Sequence, residues 1–295
     1  MSQNNSYEWG EGVYTLLSWF KKDKVKNAKV LVAGAGALGN EVIKNLALFG
    51  IGHIFVVDFD KIEISNLTRS VLFREDDAYS HSYKAEIVAK RAKEINPQIE
   101  VTPIIGNLFS DVGFGIYKSV DVIIGCLDSR IARYLLNRLA LRASKTWIDG
   151  SIENMTGVVK VYTPELSCYE CGLSREEFNN IMLRTGCADV VRRQNSAGRV
   201  ATTPISASII GAIQVQEAMK IIHLDENEPA PFKTLQGKML RYEGMTNSIN
   251  IYKYSSWKRN CPAHETWNNI IKVEELSATN SIINVLQTLK RILNV

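Results

Sequence analysis

Long apolar runs are scarce in this chain: no segment of its 295 residues approaches the roughly 20 apolar residues that span a bilayer. The stretch Met1–Glu8 is polar and lacks the basic-then-apolar order of a signal peptide. These two absences predict a cytoplasmic protein with no membrane partner. Charge of one sign is scarce too, since the formal excess is only +4 and is spread along the chain. The densest basic spots, Lys21-Lys22 and Arg192-Arg193, are not interleaved with aromatics, so nucleic acid is not an expected partner. Cysteines number five, an odd count. A domain of this size buries enough surface to be stable without disulfides, which frees those thiols for other work. Repeats, low-complexity segments and flexible linkers are absent as well, so the whole of residues 1–295 is expected to form one continuous domain.

What is present is an alternation of two periodicities. Residues 29–33 and 53–58 are short apolar, β-branched runs, and between them Leu38, Val42, Ile43, Leu46 and Ala47 recur at helical spacing. That pattern is a βαβ unit. A helix over about 82–95 closes at Asn96-Pro97, and a strand follows near 99–105. A strand at 121–126, a helix at 130–143 and a strand at 146–149 continue the series. Such alternation predicts an α/β, Rossmann-like, mostly parallel sheet with helices on both faces. Beyond about 150, residues 157–162 and 239–254 read as longer antiparallel strands. Between them, 174–203 reads as irregular and polar, and 204–222 as an apolar helix. The tail carries an amphipathic helix with Ile282, Ile283, Val285, Leu286, Leu289 and Ile292 on one side.

Gly34-x-Gly36-x-x-Gly39 lies between the first strand and helix, where backbone can approach a phosphate at the positive end of the helix dipole. Asp58, 19 residues after Gly39, ends the next strand, where a carboxylate accepts from ribose hydroxyls. Glycines alone would also suit an NAD(P)-dependent oxidoreductase, or simple helix–strand packing. Asp60, Asn66, Arg69 and Lys84 then gather acidic, amide and cationic groups at the ends of the first strands, and Asp128 follows a later one. Arg and Lys neutralise charge on a polyphosphate, and a carboxylate holds Mg²⁺. Taken singly each has a bland reading: Asp60 caps a turn, Lys84 is solvated, Arg69 bridges to Glu75. Together they point to ATP and Mg²⁺.

Cys168-x-x-Cys171 and Cys261-x-x-His264 supply two tight pairs of soft or borderline ligands about 90 residues apart. Tetrahedral Zn²⁺ favours that set, and four protein ligands leave no position for water, which makes the expected role structural.

As a set, Gly34-x-Gly36-x-x-Gly39, Asp58-x-Asp60, Ser65-Asn66-Leu67-Thr68-Arg69, Lys84 and Cys126-Leu-Asp128-Ser-Arg130 resemble the ubiquitin-activating superfamily, which includes the MoeB and ThiF enzymes. The resemblance spans roughly residues 10–265. It implies a bacterial ubiquitin-like-protein activating enzyme that adenylates the C-terminal glycine of a ubiquitin-like or sulfur-carrier protein and releases pyrophosphate. Carried over, residues about 10–150 form the nucleotide-binding half and 151–295 the carrier-binding, zinc-bearing half. Asp58 would bind ribose, Asn66, Arg69 and Lys84 the phosphates, and Asp128 the Mg²⁺. A homodimer and a conjugating-enzyme-like acceptor are implied partners. Two departures stand out. Ser70 replaces a Gln frequent in the family, and no Arg precedes Arg69 to serve a partner subunit's nucleotide. Either Lys21 to Lys26 substitute for that cation or the contact is lost.

Members that pass their substrate on as a thioester place a cysteine in a crossover loop, where this chain has Cys187 in Arg184-Thr-Gly-Cys-Ala-Asp. The expectation is a nucleophile at Cys187, with Cys126 left to strand packing. Adenylation for thiocarboxylation of a sulfur carrier, or of a short peptide, without a cysteine step is the alternative. A partner-binding pseudo-enzyme is disfavoured by the presence of Arg69, Lys84 and Asp128 together.

Overall fold

In the computed structural model, described for residues 9–184 apart from 11, and for 201–225, 230–254, 258, 261–264, 273–277 and 279–293, the alternation becomes one mixed sheet. The strands among the described residues are β1 (Lys29–Ala33), β2 (His53–Val57), β3 (Glu100–Ile104), β4 (Val122–Gly125), β5 (Trp147–Glu153), β6 (Thr156–Tyr162), β7 (Lys238–Glu243) and β8 (Ser248–Lys253). The α-helices are α1 (Lys22–Asn27), α2 (Ala37–Phe49), α3 (Glu75–Tyr79), α4 (Lys84–Ile95), α5 (Phe114–Ser119), α6 (Arg130–Arg142), α7 (Arg175–Arg184), α8 (Pro204–His223) and α9 (Ile282–Leu293).

The strand order is β3-β2-β1-β4-β5-β6-β7-β8. The pairs from β3 through β5 are parallel, and those from β5 to β8 are antiparallel. This is the Rossmann-like architecture. The period of two in β1 divides the core. Val30 and Val32 face Val42 of α2, Val88 of α4 and Ile210 of α8, whereas Leu31 and Ala33 face Tyr117 of α5 and Leu136 of α6. Parallel strands covered on both faces must be apolar throughout, which is why β1 and β4 read as unbroken hydrophobic runs. The chain leaves β1 toward β2 and β3 on one side and returns through β4 on the other. At such a switch point a crevice opens beyond the carboxyl ends of the strands.

Three sequence expectations are corrected. Residues 175–184, read as irregular, form α7, which opens with Glu176 and Glu177 at its positive end. Residues 239–254 form not one long strand but the β7–β8 hairpin. The 20 residues of α8 are long and apolar enough to cross a membrane, contrary to the absence inferred from the sequence. Half of its most apolar window is buried against the sheet and α2. It also carries the fully buried Gln214, whose amide donates to the carbonyls of Gly125 (2.9 Å) and Ile148 (3.3 Å). The amphipathic helix α9 forms as read, with Ile282 and Leu286 exposed.

Candidate active site and metal centre

The loop from β1 into α2 is shaped by two close approaches. Gly34 has φ +97°, and a Cβ there would lie 2.5 Å from the carbonyl oxygen of Cys126. A Cβ on Gly39 would lie 2.1 Å from the Gly34 carbonyl. Gly36 differs, because a Cβ there meets nothing within 4 Å. Among the described residues no packing demands glycine at that place; an open cradle beside backbone is what a phosphate requires.

Asp58 clips this loop to the next one. Its Oδ2 accepts from the Ala35 N–H (2.7 Å) and its Oδ1 from the Asp60 N–H (2.8 Å). Each oxygen retains a lone pair for a ribose hydroxyl. Burial raises the Asp58 carboxyl above its ordinary value, while Lys84 and the two amides pull the other way. Lys84, at the first position of α4, donates its ammonium to Asp60 Oδ2 (2.7 Å) and its backbone N–H to the Asp60 carbonyl (2.9 Å). The loop, Asp58, Asp60 and Lys84 are thus one bonded unit.

Asn66 and Arg69 are held within their own turn. Asn66 Oδ1 accepts from the Glu63 N–H (3.0 Å), and Arg69 Nη1 donates to the Ser65 carbonyl (2.8 Å), not to Glu75. Asp128 follows β4 and is exposed. Beside it stands a pair that the motif reading missed. The side chains of Arg133 and Asp149 are 12% and 5% exposed and meet at 2.9 Å. Arg133 also donates to the carbonyls of Leu127 and of Gly150 (3.3 Å), so it ties the Asp128 loop to β5. Burial raises the Asp149 carboxyl, against the pull of Arg133. The available signal was the position of Asp149 at the carboxyl side of a central strand.

Cys126 sits under the glycine loop, its thiol pushed well above the ordinary range by burial, which suits packing and not nucleophilic attack. Cys187 lies outside the described residues. Lys24 bonds to the Leu224 carbonyl (3.1 Å) and Asp225 (3.3 Å) of its own chain. Its helix α1 leads into the start of β1, at the opposite end of that strand from Gly34. Among Lys21 to Lys26, then, Lys24 is engaged within its own subunit.

The metal-type ligands do converge. The donor atoms of Cys168, Cys171, Cys261 and His264 all lie within 4.8 Å of one another. Zn–S bonds of about 2.3 Å at tetrahedral angles separate sulfurs by about 3.8 Å. The sulfur of Cys168 lies 3.7 Å from those of both Cys171 and Cys261, and Cys171 Sγ lies 3.4 Å from His264 Nε2. His264 Nδ1 faces the Pro164 carbonyl at 3.1 Å, which fixes the tautomer whose Nε2 carries the lone pair a metal needs. The four residues fit zinc by donor type and by spacing.

Residues 14–263 match the ThiF family. The SAMP-activating enzyme E1 of Haloferax volcanii is 29% identical, over 81% of this chain and 81% of its own. The sulfur carrier protein adenylyltransferase of Thermus thermophilus is 29% identical, over 77% and 79%. The adenylyltransferase and sulfurtransferase MOCS3 of Culex quinquefasciatus is 30% identical over 81% of this chain, which spans half the length of that relative. Among solved structures, Escherichia coli MccB with ATP superposes with a TM-score of 0.64 at 26% identity, over 83% of this chain and 68% of that one. The glycine loop and the acidic residues clipped to it lie inside the matched span, and the chain belongs to the ThiF family.

Proposed function

We propose that the chain is an ATP-dependent adenylyltransferase acting on the C-terminal carboxylate of a small ubiquitin-like or sulfur-carrier protein. The observation that carries this reading is the bonded unit of glycine loop, Asp58, Asp60 and Lys84 at the carboxyl ends of β1 and β2, beside the switch point. Asp58 receives the ribose, the amides of the loop receive phosphate, and Arg69 and Lys84 neutralise charge as it moves onto the leaving group. Asp128 would hold Mg²⁺, which lowers the charge of the triphosphate. One oxygen of the carboxylate forms a bond to the α-phosphorus while the bond from that phosphorus to the bridging oxygen breaks. Pyrophosphate departs with that electron pair, and the acyl-adenylate remains. Structural zinc would keep the segment around Cys168 and Cys261 in place.

The likeness to the sulfur carrier protein adenylyltransferase of Thermus thermophilus favours a sulfur carrier as substrate. The likeness to MccB solved with the peptide MccA supports a second reading, in which a short peptide is adenylated. Transfer onto Cys187 as a thioester, with a conjugating-enzyme-like acceptor, a homodimeric assembly and a cytoplasmic setting belong to the fuller form of the proposal. Pyrophosphate–ATP exchange tests the core of it, using a panel of small carriers and peptides that end in glycine. Exchange should require a free C-terminal carboxylate and disappear with the amidated form. Exchange indifferent to that carboxylate, or none across the panel, would overturn the reading. Cys187→Ser separates the fuller form, since exchange should persist while a thiol-sensitive adduct is lost.

A further inference from the structure

Asn40 belongs to no motif, yet it lies one turn into α2 with no exposed surface. Its Nδ2 donates to the carbonyls of Ala35 (2.8 Å) and Gly36 (3.0 Å). Its Oδ1 accepts from the Leu72 N–H (2.9 Å). Two carbonyls on one side and one N–H on the other leave a single orientation for the amide. A buried amide is costly unless its bonds are made, and here both ends are bonded, so an apolar residue would leave the Leu72 N–H without this acceptor.

The consequence lies in the peptide planes. In a trans peptide the carbonyl and the N–H point in opposite directions. Drawing the Ala35 carbonyl toward Asn40 turns the Gly36 N–H away from it, and the Gly36 carbonyl, which accepts from the Asn40 backbone N–H (2.9 Å) as well as from its side chain, turns the Ala37 N–H away likewise. The space beside Gly36 is open. Leu72 stands three residues after Arg69, so the same side chain also fastens the segment that carries the cation.

Resting on the nucleotide reading above, we infer that Asn40 is a positioning residue: it aims the Gly36 and Ala37 amides at the phosphates of the nucleotide and keeps the Arg69 segment in step with them. With no exposed surface it can reach neither ribose nor base, which separates its effect from that of Asp58.

Calorimetric titration of the intact protein with ATP and with adenosine makes the distinction. Asn40→Asp keeps the acceptor for Leu72 but sets a carboxylate oxygen against two carbonyls. It should weaken ATP about tenfold or more while adenosine stays within about twofold, and Asn40→Ser, with one hydroxyl donor, should fall between. Equal loss for ATP and adenosine, or no loss for ATP, overturns the inference. Amide spectra of the unaltered protein make the test independent of whether the variants fold. ATP should shift the Gly36 and Ala37 resonances and adenosine should not; ATP binding without those shifts overturns it too. Failure of the unaltered protein to bind ATP at all removes the nucleotide reading itself.

Discussion

Gly36 and Gly39 stand three residues apart in one loop and answer to different demands. Gly39 is required by the protein, because a methyl group there would press on the Gly34 carbonyl at 2.1 Å. Gly39→Ala should therefore destabilise the fold by the upper end of about 1–3 kcal/mol, read as a lower unfolding midpoint. Gly36 meets nothing, so Gly36→Ala should cost at most about 1 kcal/mol as a change of helix N-cap. The same variant should weaken ATP about tenfold, the scale of one lost bond to a charged group. A midpoint measured beside an ATP titration separates the two glycines. The sequence presents them as equivalent members of one motif, since spacing does not record which atoms lie opposite. It likewise announced Asp58 as a ribose ligand but not as the clip between Ala35 and Asp60, because its partners there are backbone amides.

Two elements are fastened by contacts between segments far apart in sequence. The chain following β6 is joined to residues 261–264 through the Cys168, Cys171, Cys261 and His264 cluster. One equivalent of zinc should copurify. Cys171→Ser should lose it and lower the unfolding midpoint on the order of 10 °C, with nucleotide affinity retained in the folded fraction. Here the spacing was legible, since paired ligands carry their own signature. The joint between the end of α8 and the start of α1 was not legible. His223 bonds through Nδ1 to the Met219 carbonyl (2.6 Å), and its Nε2 accepts from the Lys21 N–H (2.9 Å), with Trp19 and Phe20 against the ring. Burial, with Lys21 and Lys24 nearby, holds its pKa below the ordinary value. Folding therefore favours neutral His223. The contribution is present above the unfolded value of about 6.5 and is lost as pH falls from there through the lower folded value. His223→Gln should flatten the fall in unfolding midpoint below that pH; an unchanged slope would remove His223 as a source of the acid sensitivity.

At the scale of the whole molecule, the sheet brings distant segments to one crevice. The β1–β4 neighbourhood sets Gly34 against Cys126, which are far apart in sequence, and places Asp128 beside the glycine loop's end of the sheet. Alternating periodicities made the parallel half legible, though not its strand order, because each βαβ unit is a local event. The antiparallel extension was legible in its sense but not in its pairing, since β6 meets β7 across a long intervening segment. The residues near the glycine loop and Asp128 that escaped, Asn40, Arg133 and Asp149, all bond to backbone or to one another. Adenylation by this crevice has a direct isotopic test. A carrier or peptide with ¹⁸O in its C-terminal carboxylate is incubated with ATP and the protein, and hydroxylamine is added to cleave the acyl-adenylate at carbon. The AMP released should carry one ¹⁸O, inherited from the carboxylate at the moment of attack on the α-phosphorus. AMP free of label, or ADP as the only nucleotide product, would contradict the account.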